Sequence, residues 1–143
     1  MEFTIREIKL TDSATVTKLT AQLGYALSEE EIARNISLVI QSKCHNAFVA
    51  EHNEKVVGWI GVSQVIMIEF NPYCEINGLV IDENYRGKGV GKLLIAQAKQ
   101  WARENGNTTL RVRCNVIRKE AHAFYQRLCF KETKEQKNFE LSL

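Results

Sequence analysis

Arg86-Gly87-Lys88-Gly89-Val90-Gly91 constrains this chain more than any other stretch. Three glycines alternate with two cations and a valine. Before it, Glu75-Ile76-Asn77-Gly78-Leu79-Val80-Ile81 reads as a buried strand. After it, Val90 to Asn105 reads as an amphipathic helix, with Val90, Leu93, Leu94, Ala98, Trp101 and Ala102 on one face. A glycine loop thus leads from a strand into a helix N-terminus. Backbone N–H groups at such a terminus lack intrahelical partners, and the helix dipole adds partial positive charge. Glycine permits the positive φ angles and close approach that a phosphate cradle needs. Arg86 and Lys88 add full charges. The loop suits a phosphorylated ligand; the bland alternative is a turn that only joins strand to helix.

Two familiar phosphate loops are excluded. A Walker loop needs Gly-Lys followed by Ser or Thr, whereas Gly87-Lys88 precedes Gly89 and Gly91-Lys92 precedes Leu93. The dinucleotide fingerprint needs Gly or Ala three residues after its second glycine, where Lys92 stands, and no βαβ unit opens the chain.

Arg-x-x-Gly-x-Gly after a strand ending Leu79-Val80-Ile81-Asp82 resembles the acetyl-CoA loop of the GCN5-related N-acetyltransferases, the GNAT family. Asn115 after a short strand, then Ala121-His122-Ala123-Phe124-Tyr125 and Leu128-Cys129-Phe130, is similar to that family's second cofactor segment. The order of elements along nearly all of the chain fits as well. The resemblance implies an α/β (α+β) fold in a single domain over residues 1–143, with a mixed, mostly antiparallel central sheet flanked by about four helices. It also implies an N-acetyltransferase that uses acetyl-CoA as cosubstrate and an amine as acceptor.

The remaining composition is permissive. A chain of 143 residues suits one domain with a real core. No run of eighteen apolar residues predicts a membrane span, and Met1-Glu2-Phe3-Thr4-Ile5 lacks a signal-peptide pattern, which implies a cytoplasmic location. A net charge of +2 gives no reason to invoke nucleic acid. Arg111, Arg113, Arg118 and Lys119 form a second basic cluster, open to two readings: approach to an anionic cofactor, or a solvated face. Cysteines at 44, 74, 114 and 129 lack zinc or redox spacing. No metal is expected, and the cysteines read as reduced, packed small residues.

In chain order, Phe3, Ile5 and Ile8 open as an edge strand. Thr11 or Asp12 offers a cap for a helix through Val16, Leu19 and Leu23, stopped at Gly24. Ser28 and Glu31 have capping-box spacing for a second helix with Ile32, Ile36, Val39 and Ile40 as its apolar stripe. A hairpin follows, from Ala47–Glu51 through a turn to Val56–Ile68, with Gly58 and Gly61 expected to weaken or bulge its second strand. Tyr73 to Asp82 feeds the loop. Leu110, Val112 and Cys114 alternate with Arg111, Arg113 and Asn115 as a half-exposed strand; Ala121, Phe124, Tyr125 and Leu128 mark another helix. Short strands are expected near 131–133 and 138–143.

Acetyl transfer needs a held cosubstrate, a polarised carbonyl, a deprotonated amine and a protonated leaving thiolate. By the resemblance, the loop Arg86, Gly87, Lys88, Gly89, Val90, Gly91 with Lys92 binds the pyrophosphate. Leu79, Val80 and Ile81 pair with the pantetheine arm as with an added strand, and an N–H of Val80 or a neighbour polarises the carbonyl. Asn115 bonds a pantetheine amide, or caps the next helix. Tyr125 stands where the family has its catalytic tyrosine; its alternative is core packing. Glu75 stands where many members have a carboxylate base or water relay, with a pKa raised if buried; its alternative is an ion pair. Tyr25 and Tyr73 border the acceptor region. The acceptor stays open among aminoglycosides, polyamines, amino-acid derivatives and protein amines. Homodimers are common in the family. The reading from a different class is a non-catalytic acetyl-CoA-binding or sensing module. One departure is Cys129, where the family commonly has glycine; a positive φ costs cysteine more, so the form of this helix end stays open.

Overall fold

The computed structural model describes residues 1–114 and 118–143. They form two compact units, Met1–Val112 and Arg113–Leu143.

The first unit is a five-stranded sheet with three helices. The strands are β1 (Thr4–Glu7), β2 (His45–His52), β3 (Lys55–Val65), β4 (Tyr73–Ile81) and β5 (Leu110–Val112), in that spatial order. All neighbours run antiparallel except β4 and β5, which are parallel. This is the mixed, mostly antiparallel sheet expected. The helices are α1 (Ser13–Ala21), α2 (Glu29–Gln41) and α3 (Val90–Glu104).

Local chemistry explains the boundaries. Ser28 and Glu31 form the capping box that starts α2, each side chain bonded to the other's backbone N–H at 3.1 Å. Gly24 and Gly106, at φ +87° and +78°, stop α1 and α3. Asn53 and Glu54 both take positive φ in the two-residue turn of the β2–β3 hairpin. Asp12 precedes α1, but its carboxylate makes no cap. It accepts from both terminal nitrogens of Arg6 at 2.9 and 2.8 Å and from the Lys9 N–H at 2.8 Å, and Arg6 also pairs with Glu51. Burial works against this charge, yet the Arg6 and Lys9 bonds outweigh it and hold the Asp12 carboxyl below its usual value.

Ile8, Val16, Leu19, Ile32, Ile36, Ala47, Val49, Val56 and Val80 form one buried cluster beneath α1 and α2. Strand alternation turns Phe48 and its register partner Ile60 to the opposite face. There α3 packs on β2, β3 and β4, burying Val90, Leu94, Ile95 and Ala98. Ile40 and Leu93, expected on apolar faces, are exposed because each sits at the margin of its stripe. β3 ends at Val65, so Ile66, Met67 and Ile68 lie outside it and are exposed.

The second unit contains α4 (Lys119–Arg127). The strands expected near 131–133 and 138–143 do not form among the described residues, where the backbone is irregular. Phe139, Leu141 and Leu143 keep the alternation of a strand but stand exposed; alternation suggests a strand, and only a pairing partner makes one. The end of α4 keeps the turn that Cys129 left open. Cys129 takes the left-handed conformation, φ +69°, that glycine would have supplied. Its N–H reaches the Gln126 carbonyl at 3.1 Å and the Phe130 N–H reaches the Tyr125 carbonyl at 3.0 Å, a Schellman closure. The turn is kept, at a steric cost of about 1–2 kcal/mol for a side chain there.

The cysteines also differ from expectation, since Cys44 and Cys129 are exposed and only Cys74 is buried. Burial, with the Glu75 charge adding, pushes the Cys74 thiol up to about 11.

Relief of the Cys129 strain is measurable. Cys129→Gly is expected to raise stability by about 0.5–1 kcal/mol, the steric gain less glycine's larger chain entropy. A higher urea midpoint with unchanged slope, followed by helix circular dichroism, checks it.

Candidate functional site

The site is built around β4. Its first half pairs on both sides: Cys74, Glu75 and Ile76 register with Leu110, Arg111 and Val112 of β5, and with Gln64, Ser63 and Val62 of β3. Between Gly61 and Val62 the β3–β4 register shifts, and Asn77 is the extra residue, a bulge in β4. Beyond it, Gly78, Leu79, Val80 and Ile81 remain paired with β3, at Gly61, Ile60, Trp59 and Gly58. No β5 residue pairs with them, so the far edge of this half carries backbone groups without a strand partner among the described residues. An extended polar arm fits such an edge.

Packing fixes the bulge. A Cβ on Gly78 would lie 2.7 and 2.9 Å from the Trp59 indole, so only glycine admits the ring there. The indole Nε1 donates to Thr20 Oγ1 at 3.2 Å, tying β3 to α1. Asn77 donates to Ser63 Oγ at 3.1 Å.

At the end of β4 the chain makes a short 3-10 turn, Glu83–Tyr85, begun by the buried Asp82, whose carboxylate accepts from the Asn84 N–H at 3.0 Å. The Glu83 N–H donates to the Gln22 side chain at 3.0 Å, joining this turn to the end of α1. Gly87 and Gly89 then take φ +75° and +87°, and Gly89 sits at the N-cap of α3. The first helical bond runs from the Leu93 N–H to the Gly89 carbonyl, at 3.2 Å. The N–H groups of Val90, Gly91 and Lys92 therefore precede any intrahelical bonding. A Cβ built on Gly87 or Gly89 meets nothing within 4 Å, so the space beside each is open. Arg86, Lys88 and Lys92 are exposed around it. Arg86 Nε donates to the Ile81 carbonyl at 3.3 Å, and Lys88 Nζ lies 5.6 Å from the Tyr85 ring centroid. These residues fit a pyrophosphate: cations, unspent N–H groups and a helix dipole converge on open space.

Glu75 and Tyr73 lie on the same half of β4, both buried. Alternation puts them on one face, with Ser63 and Arg111 as cross-strand neighbours of Glu75. The Arg111 guanidinium stacks 4.1 Å from the Tyr73 ring centroid and 5.3 Å from that of Phe70. Tyr25 is exposed in the segment between α1 and α2. Asn115 lies outside the described residues. In the second unit, Tyr125 is half-buried on α4, edge-on to Phe124 and Phe130 at centroid distances of 5.2 and 5.5 Å. Burial raises its pKa, the Cys114 thiol adds to this, and Arg118 acts in the opposite direction. The phenol is thus kept neutral at neutral pH.

The Asn77 bulge, the Trp59–Gly78 contact and the stacking of Arg111 were not foreseen from sequence. The one available signal was the pair of glycines, Gly61 and Gly78, in facing strands. Among the described residues no group of three or more His, Cys, Asp or Glu side chains could hold a metal, and no helix is long and apolar enough to cross a membrane.

With this geometry in place, comparison with known proteins identifies the family. The model of the acetyltransferase (GNAT) family matches residues 14–130, and the chain belongs to that family. An uncharacterized N-acetyltransferase of Methanocaldococcus jannaschii is 34% identical over 87 residues, covering 59% of this chain and 38% of its own length. The aminoalkylphosphonate N-acetyltransferase of Salmonella typhimurium is 31% identical over 108 residues, covering 76% of this chain and 55% of its own. The chain spans about two fifths of the length of the first two curated relatives it matches. Among solved structures, the aminoglycoside N-acetyltransferase AAC(6')-Iy in complex with CoA shares the fold at a TM-score of 0.89 and 18% identity, over 99% of this chain and 96% of that one.

The open space at Gly89 gives a direct check. Gly89→Val places a branched side chain at positive φ and fills the cradle. Acetyl-CoA affinity is expected to fall at least about tenfold, the scale of one lost charge-assisted hydrogen bond. Calorimetric titration of folded variant and wild type reads it.

Proposed function

We propose that this chain is an acetyl-CoA-dependent N-acetyltransferase in which a primary amine attacks the thioester directly. The observation that carries the reading is the half-open β4 edge leading into the Gly87–Lys92 cradle. Family membership supports it, and the two units then act as one domain.

Each residue has a chemical task in this reading. The N–H groups of Val90, Gly91 and Lys92, with Arg86 and Lys88, hold the pyrophosphate. Leu79, Val80 and Ile81 offer their free edge to the pantetheine arm, and a backbone N–H near Val80 polarises the acyl carbonyl. Such donors contribute a few kcal/mol in comparable enzymes. The bound thioester supplies the activated acetyl group. Glu75, buried on the first half of β4, accepts the amine proton directly or through water. Tyr125 donates to the departing thiolate sulfur. Its raised pKa suits a donor that stays protonated, since thiols ionise near 8.5 and tyrosines near 10. Asn115 is assigned to a pantetheine amide by resemblance. Tyr25 and Tyr73 border the acceptor. Two copies of the chain forming a homodimer complete the proposal.

Purified protein incubated with acetyl-CoA and a panel of amines should give a mass increase of one acetyl group on one amine class. Tyr125→Phe should lower kcat by about 10²–10⁴-fold, the range for a lost general acid, with acetyl-CoA affinity unchanged. The wild-type rate should hold through neutral pH and fall only above the ordinary tyrosine range, because the raised pKa keeps the phenol protonated to higher pH. Bound acetyl-CoA with no acetylated amine would favour the binding-module reading; full activity in Tyr125→Phe would remove the phenol from the mechanism.

A further inference from the structure

We infer that Arg111 selects the acceptor: the amine acetylated by this chain carries an anionic group a few bonds from its nitrogen, and the Arg111 guanidinium binds that anion. The inference rests on the acetyltransferase reading and narrows its acceptor.

Arg111 is the β5 residue in register with Glu75 of β4, and paired residues share a face of a sheet. Neighbouring strands lie roughly 4.8 Å apart. A carboxylate and a guanidinium thus stand side by side, with Ser63 and Tyr73 on the same face. A small molecule with an ammonium and an anion matches that pair of charges. A polyamine would instead set its second cation against Arg111.

Distance excludes the other use of this cation. Glu75 is six residues before Ile81, roughly 20 Å of strand, and the phosphate cradle begins beyond that. Arg111 is therefore remote from Arg86 and Lys92 and does not serve the pyrophosphate. Of the second basic cluster, read from sequence as approaching an anionic cofactor or as a solvated face, Arg113, Arg118 and Lys119 are exposed and Arg111 is half-buried.

Tyr73 and Phe70 grip the guanidinium by their ring faces, at 4.1 and 5.3 Å. Such stacking fixes the plane and leaves the edge N–H groups for hydrogen bonds. Among the described residues Arg111 makes no ion pair with a carboxylate. A fixed, stacked guanidinium presents the fork geometry that carboxylates and phosphonates accept in pairs.

The test compares β-alanine and 2-aminoethylphosphonate with propylamine and putrescine, under saturating acetyl-CoA, for wild type, Arg111→Gln and Arg111→Lys. For wild type, kcat/KM for at least one anionic amine should exceed that for propylamine by at least about tenfold. Arg111→Gln should bring that ratio close to one, mainly through the KM of the anionic amine. Arg111→Lys should restore part of the preference, which a merely structural role would not do. Acetyl-CoA affinity measured on each variant reports folding. A wild-type ratio near one, a preference for putrescine, or a ratio unchanged in Arg111→Gln overturns the inference. If no amine is turned over, the acetyltransferase reading has failed, and binding decides the inference by itself. Binding of β-alanine or the phosphonate that weakens in Arg111→Gln, seen by NMR titration, upholds it; no binding to wild type overturns it.

Discussion

A strand edge must find hydrogen-bond partners, and among the described residues β4 meets that demand on both sides along only half its length. From Cys74 to Ile76 it is an interior strand, held by β3 and β5. From Gly78 to Ile81 it keeps β3 and has no β5 partner. Unsatisfied backbone groups are costly when buried and useful when a ligand can reach them. The division at Asn77 thus separates a rigid half, which carries Glu75, from an open half that leads to the glycine cradle. The remaining features of the first unit either enforce that division or use it.

Enforcement comes from packing across β3. Trp59 rests on Gly78, and its indole N–H is tied to Thr20 of α1. The bulge is therefore anchored to the core below α1 and α2. On the other side, Gln64 and Asn107 exchange side-chain hydrogen bonds at 2.9 and 2.7 Å, and the Cys74 N–H reaches the Thr109 carbonyl at 3.1 Å. These contacts hold the start of β5 against the start of β4. β5 is thus fixed where it supports Glu75 and Arg111, and it stops where the open edge begins.

How much of this was legible in the sequence follows from the range of each interaction. The cradle was readable because glycine spacing, cations and helical periodicity are local; Gly87 and Gly89 have the positive φ that the pattern implied. The α2 capping box was readable for the same reason. The Asn77 bulge was not, because it arises from register against a strand about fifteen residues earlier. Asp12 shows a local signal overridden: it has a cap residue's chemistry, yet Arg6, itself paired with Glu51, draws its carboxylate into an ion-pair network. Cys129 shows the reverse. Its residue type argued against a left-handed turn, and the Schellman bonds impose one. Phe139, Leu141 and Leu143 carried a strand pattern without a strand, because alternation records a two-faced segment and not the partner it would need.

The most direct measurement of the central claim is residue-resolved amide hydrogen exchange with and without acetyl-CoA. Amides within Asn77–Ile81 and at Val90, Gly91 and Lys92 should gain protection when the ligand is added, while those of Cys74–Ile76, already paired on both sides, should change little. Protection confined to other parts of the chain, with acetyl-CoA demonstrably bound, would contradict the assignment of the open β4 edge and the glycine cradle as the binding site.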